Sequence, residues 1–178
     1  MRGHTHILGG VLFAEAALLT TGHGTVGDTE AAFLTAAAFG ALLPDIDHPG
    51  AKISKMNSAT RMLSAGVSAL TRHRGFTHTL VFTAIITLLS AITIYFHVPY
   101  CYSICSGLLI GMLSHMCLDS LNPTGIMWLY PFRKKRYHIA KIKTGSPAET
   151  WFFLGAAALA MILFKFSGAI PALANTIL

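Results

Sequence analysis

Five apolar runs separated by short polar stretches limit this chain more than any other feature in it. They fall at about 7–20, 30–43, 79–96, 100–118 and 150–166, near the roughly 17–25 residues a helix needs to cross the hydrocarbon of a bilayer. Inside lipid every backbone polar group needs an internal partner, so such runs settle as helices. Composition agrees: 53% of the 178 residues are hydrophobic and 11% charged, and the mean hydropathy of +0.60 lies outside the soluble-domain range. The expected fold is an all-α, polytopic membrane bundle of about five spans, built as a single domain over 1–178.

Local punctuation supports this division. Pro44 ends the second run, because proline lacks the donor and clashes with the preceding turn, and Pro99 marks the bend between the third and fourth. The first two runs are short, so they cross a thinned bilayer or sit in a protein-lined re-entrant arrangement. Between Lys52 and Arg72 the stretch "MLSAGVSAL" with basic flanks reads as a short interfacial helix. Arg2 followed by an apolar run imitates a signal peptide, but residues 20–24 lack an A-x-A cleavage pattern, and the run is read as a retained span. Cys101, Cys105 and Cys117 share one apolar run, where they read as small core residues and not as a disulfide framework.

Basic residues set the expected orientation, since cytoplasmic loops keep Lys and Arg. Arg2 precedes the first run. Lys52, Lys55, Arg61, Arg72 and Arg74 lie between the second and third, and Arg133, Lys134, Lys135, Arg136, Lys141 and Lys143 between the fourth and fifth. With five spans these share one side, which places the N-terminus in the cytoplasm and the C-terminus outside. The formal charge of +6 is then topogenic, and "RKKRYHIAKIK" meets anionic headgroups; membrane lipids are the expected partners and nucleic acid is not.

The same topology sorts the polar clusters. His4 and His6 open the first run, and Asp45, Asp47 and His48 in "PDIDHPG" close the second. His73 and His78 in "HRGFTH" lead into the third, His115 and Asp119 close the fourth, and Glu149 opens the fifth. All five clusters fall on the cytoplasmic face, where they can converge. Imidazoles with carboxylates suit zinc, manganese or iron, and the absence of cysteine from the clusters argues against a structural thiolate zinc. His115 and Asp119, four apart, share one helical face. Asp45 and Asp47 follow Pro44 in a turn that can direct both into one pocket, while Thr77 is placed to cap the third run with His78 facing inward. More candidates are present than one zinc needs, so two cations sharing a carboxylate are compatible with the pattern.

Each position also has a bland reading. Taken singly, His4, His23, His97 and His138 are interfacial or solvated histidines, and Asp47 and His48 are turn formers. A lone H-x-x-x-D is a weak signal; its combination with P-D-x-D-H and H-R-G-x-T-H is specific. Glu15 lies inside the first run, where an ionisable group is costly. It pairs with a histidine, lines a polar cavity, or is tolerated because the run is short.

"LLPDIDHPG", "HRGFTH", "LSHMCLDSLNPTG" and "GSPAET" resemble the YdjM-like inner-membrane proteins, a family described as metal-dependent hydrolases. The resemblance covers about 6–149 and puts His6, Asp45, Asp47, His48, His73, His78, His115, Asp119 and Glu149 on the family's motif positions. The family is in turn similar to the helical zinc-dependent phospholipase C group, although this chain lacks the N-terminal tryptophan that is a ligand there. On this basis His6, Asp45, Asp47, His78, His115 and Asp119 are the expected ligands of one or two divalent metals, zinc first and manganese or iron as alternatives. His48 and His73 are expected to orient ligands or protonate a leaving group, Arg74 to stabilise a phosphate anion, and Glu149 to belong to the catalytic group. A bound divalent metal brings the pKa of water to about 7. The expected activity is hydrolysis of a phosphoester in a lipid or lipid-linked substrate at headgroup depth. Two rivals use the same ligands: a metal-ion or small-solute transporter, whose site would lie nearer the midplane, and a noncatalytic membrane protein with a structural metal.

Overall fold

The structure is a computed structural model that describes residues 1–21, 27–71 and 74–177; Arg72, His23 and His73 lie outside the described residues. Among those described, the chain is helical and contains no strand, with an isolated antiparallel bridge between Ile126 and Tyr137. The helices are α1 (Gly3–Thr21), α2 (Asp28–Gly40), α3 (Ser58–Leu70), α4 (Leu80–Tyr95), α5 (Cys101–Asp119) and α6 (Pro147–Ile177). Among the described residues three segments are long and apolar enough to cross a membrane: Asp28–Asp47, Cys101–Asp119 and Pro147–Lys165; Leu80–Tyr95 is apolar but shorter. The first run folds as α1, which carries Glu15 and completes the bundle.

Most of these boundaries follow from local chemistry. Pro44 sits in the first turn of a 3-10 helix, Leu43–Asp47, that carries the chain off the end of α2. Asn57 caps α3 by accepting the amide of Thr60 at 2.8 Å. At α6, Ser146 accepts the amide of Glu149 at 3.3 Å while Pro147 takes the first helical position, where its missing N–H costs nothing. The cap of α4 differs from the sequence expectation. Thr79, not Thr77, accepts the Phe82 amide at 3.1 Å, because the chain makes one more 3-10 turn, Phe76–His78, before the helix begins.

Helix α5 is the axis of the molecule, packed against α1, α2 and α4, with α6 on the outer side of α1. Small residues make this close approach possible. A Cβ on Gly111 would stand 2.1 Å from the Ala37 carbonyl oxygen and one on Gly107 2.5 Å from that of Phe33, so α2 rests directly on the glycine face of α5. The spacing G-L-L-I-G is the sequence signal for that contact. Ala14, Phe33 and Ala37 form the apolar centre between α1 and α2, supported by Leu18, Leu34 and Ile110. A second cluster, Leu42, Ile46 and Ile53 with Ile7, Val67 and Phe82, lies near the polar end. It seats the 3-10 turn of Asp45 and Asp47 against α1, α3 and α4.

Candidate metal centre

The five helix-end clusters meet at one end of the bundle. Two trios of donor atoms are each close enough to share an ion: His6, Asp45 and His115, and His78, His115 and Asp119. His115 belongs to both. Its Nε2 lies 3.2 Å from His78 Nε2, 3.7 Å from Asp45 Oδ1 and 3.9 Å from Asp119 Oδ2. His78 Nε2 is also 3.5 Å from Asp45 Oδ1 and 3.7 Å from Asp119 Oδ2. The His6 ring stacks on His115 with centroids 3.7 Å apart, and its Nε2 is 3.4 Å from Asp119 Oδ1. Four of these five side chains are fully buried, and Asp45 is the one that meets solvent.

The rings are oriented from behind. His115 Nδ1 stands 2.7 Å from the Ala41 carbonyl oxygen; a carbonyl only accepts, so Nδ1 carries the proton and Nε2 presents a lone pair. His78 is fixed by a side-chain relay. The Thr77 hydroxyl donates to Asp47 Oδ2 at 2.8 Å and lies 3.1 Å from His78 Nδ1, so it accepts the Nδ1 hydrogen bond and Nε2 is turned toward the cluster. Metal-binding histidines are commonly held this way, with a carboxylate or carbonyl on the far nitrogen.

This arrangement divides the two acids of "PDIDHPG". A 3-10 helix turns about 120° per residue, so positions two apart cannot face one pocket. Asp45 therefore points into the cluster, whereas Asp47 is buried behind His78, accepting the Arg74 amide at 3.1 Å as well as the Thr77 hydroxyl. The expectation that both carboxylates are ligands gives way to one ligand candidate and one orienting acid. Thr77 and the Ala41 carbonyl were not foreseen in these roles. The only sequence hint was the threonine directly before His78.

Glu149 also has a task other than the expected one. Its Oε1 accepts the Arg2 amide at 2.5 Å and the Thr5 hydroxyl at 3.1 Å, and Oε2 accepts the Gly145 amide at 2.6 Å. Three donors from two distant segments occupy this buried carboxylate, which ties the start of α1 to the start of α6 and holds His6 in place through its helix. His4 packs edge-on against Phe153, with centroids 5.1 Å apart.

Above the cluster lies a cavity of about 420 Å³ lined by Asp45 and Asp119 at its base and by Arg2, His48, Lys52 and Arg74 around it. Arg74 is partly committed: Nε is 3.1 Å from Asp119 Oδ2, Nη2 donates to Asp119 Oδ1 at 3.3 Å, and Nη1 donates to Thr124 Oγ1. Arg74 has a positive φ of 60°, and its amide and guanidinium engage Asp47 and Asp119 together. The Met1 main-chain nitrogen is 2.8 Å from Asp119 Oδ1. The cavity thus has an acidic base and a cationic wall.

The donor set fits a divalent cation such as zinc. Two imidazole nitrogens 3.2 Å apart beside two carboxylates leave a buried, electron-rich focus, and His6 Nδ1 is buried with no hydrogen-bond partner among the described residues.

Comparison with known proteins agrees with the motif reading. The family described as YdjM inner membrane protein matches residues 1–176. The uncharacterized protein YvsG of Bacillus subtilis (strain 168) is 35% identical over 155 residues, covering 87% of this chain and 89% of the relative. Inner membrane protein YdjM of Escherichia coli (strain K12) is 38% identical over 96 residues, or 52% of this chain and 45% of the relative, and that of Shigella flexneri matches to the same extent. No solved structure matches.

Proposed function

This chain belongs to the YdjM inner membrane protein family, and from that premise we propose that it is a membrane-embedded, metal-dependent hydrolase acting on a phosphoester of a lipid or lipid-linked substrate. The observation that carries the reading is the convergence of His6, Asp45, His78, His115 and Asp119 beneath a cavity walled by Arg2, Lys52 and Arg74. Donors of this type and number exceed the four that a closed structural zinc site uses.

His6, Asp45, His78, His115 and Asp119 hold one or two divalent ions in this reading. When bound, such an ion supplies Lewis acidity toward a phosphoryl oxygen and makes water acidic enough to react near neutral pH. The remaining work falls to the chain itself. Ala41, Thr77 and Asp47 hold the histidine rings in the lone-pair-forward tautomer. Arg2, Lys52 and Arg74 attract and orient an anionic headgroup, and Arg74 can exchange part of its pairing with Asp119 for a phosphate oxygen. His48, exposed on the cavity wall, is placed to give a proton to a departing alcohol.

The test is twofold. Detergent-purified wild type is expected to carry stoichiometric metal, and Asp45→Ala and His115→Ala to lose it, read by elemental analysis. A panel of phospholipids and soluble phosphate esters is then expected to be hydrolysed by wild type with added zinc or manganese and not by either variant. Full metal retention in both variants would discard the site; metal loss without turnover on any ester would discard the hydrolase.

A further inference from the structure

Helix α3 is turned inside out relative to a helix on a water-soluble protein. Successive residues rotate by about 100°, so Thr60, Ser64, Val67, Ser68 and Thr71 share one side. That side faces the protein: Ser64 is buried and the other four are half-buried. Val67 reaches the Leu42, Ile46 and Ile53 cluster. The opposite side carries Ala59, Met62, Leu63, Gly66, Ala69 and Leu70, all exposed, with Met62 77%, Leu63 59% and Leu70 88% exposed. A side chain added at Gly66 would meet nothing within 4 Å. Amphipathic helices in water turn their apolar stripe to the core; this one presents hydroxyls to the core and hydrocarbon to its surroundings.

Two further facts identify those surroundings. At 13 residues α3 is about 20 Å long, short of the roughly 30 Å of a bilayer's hydrocarbon, so it does not cross. Yet it is tethered on both sides to apolar helices, through the 3-10 turn that ends α2 and through the short segment leading into α4. Its charge is of one sign: Lys52, Lys55 and Arg61 are exposed, and no Asp or Glu occurs between His48 and Leu118. Lysine and arginine flanking an exposed apolar stripe match an anionic leaflet surface over acyl chains.

We propose that α3 lies in the plane of the membrane as an interfacial helix, with the Met62, Leu63 and Leu70 face embedded among the acyl chains of one leaflet. Lys52, Lys55 and Arg61 then reach the anionic phosphates of that leaflet. The lipid surface thereby braces the segment that follows α3 and delivers Arg74 and His78 to the metal centre. The assignment stands independently of the hydrolase reading.

Spin labels placed singly at Lys55, Met62, Leu63 and Leu70 in the full chain, with Cys101, Cys105 and Cys117 replaced by alanine, test it in vesicles of phosphatidylethanolamine and phosphatidylglycerol. Labels at Met62, Leu63 and Leu70 are expected to collide several-fold more with oxygen than with a water-soluble nickel chelate, and the label at Lys55 to show the reverse. Nickel access dominating at the three apolar positions would overturn the proposal. So would labels immobilised and shielded from both reagents, which would mean that protein covers the face. If the cysteine-free background does not fold, tryptophan at Leu63 or Leu70, with Trp128 and Trp151 changed to phenylalanine, gives the same reading. Strong quenching by brominated acyl chains is expected, and its absence refutes the assignment.

Discussion

His78 and His115 face each other through their Nε2 atoms at 3.2 Å, the first ring braced on its far side by its own chain neighbour and the second by a carbonyl from another helix end. Thr77 holds the first and the Ala41 carbonyl the second. Two buried lone pairs at that distance repel unless something positive lies between or beside them. This buried pair is the reason we propose a cation as the occupant of the site.

The relay behind His78 gives a graded prediction. Thr77→Val keeps the shape and removes the hydroxyl that joins His78 Nδ1 to Asp47, and is expected to weaken metal binding about 10–100-fold. Thr77→Ser should restore most of it. Competition with a chromogenic chelator reads the affinity, and circular dichroism shows that helicity is unchanged.

Glu149 separates a structural from a catalytic carboxylate. Its oxygens are taken by the Arg2 and Gly145 amides and the Thr5 hydroxyl. Glu149→Ala is therefore expected to cost about 1–3 kcal/mol of stability, seen as a lower melting temperature in detergent. A variant that melts like wild type but has lost turnover would return Glu149 to the reacting groups.

The glycine face of α5 predicts sensitivity far from any polar group. Gly111→Ala forces a Cβ against the Ala37 carbonyl oxygen and is expected to destabilise by about 1–3 kcal/mol. Because α2 leads to Asp45 and α5 carries His115, metal affinity should fall together with the melting temperature. Gly66→Ala, which meets open space on α3, is the matched control and should not lower either.

Orientation is a separate expectation, resting on the basic loops. Single cysteines at Arg61 and Lys135 should resist a membrane-impermeant maleimide in intact cells and react in inside-out vesicles. Labelling of either position in intact cells would put the metal centre on the other side of the membrane.

The local grammar of this chain was open to reading. Apolar length marked the helices, Pro44 marked the exit from α2, and the i, i+4 spacing brought His115 and Asp119 to one face. Convergence of the helix ends was legible too, because successive helices alternate direction and each polar cluster sits at the same kind of end. The sequence could not tell Asp45 from Asp47, since a turn that continues as 3-10 and a turn that opens into a loop use the same residues and aim them differently. Nor could it find the Ala41 carbonyl, a group with no side-chain signature.

What the sequence determined by itself is where helices start and stop and which polar residues lie at their ends, because spacing, proline and capping act over a few residues. Only the tertiary structure decided which acid faces the cluster, which threonine stands behind His78, that Glu149 accepts from the starts of α1 and α6, and that α3 turns its apolar side outward. Those choices depend on how closely α2 rests on the glycines of α5, which brings the Ala41 carbonyl behind His115, and on how Asp47 meets Thr77 behind His78. Packing between remote segments sets both.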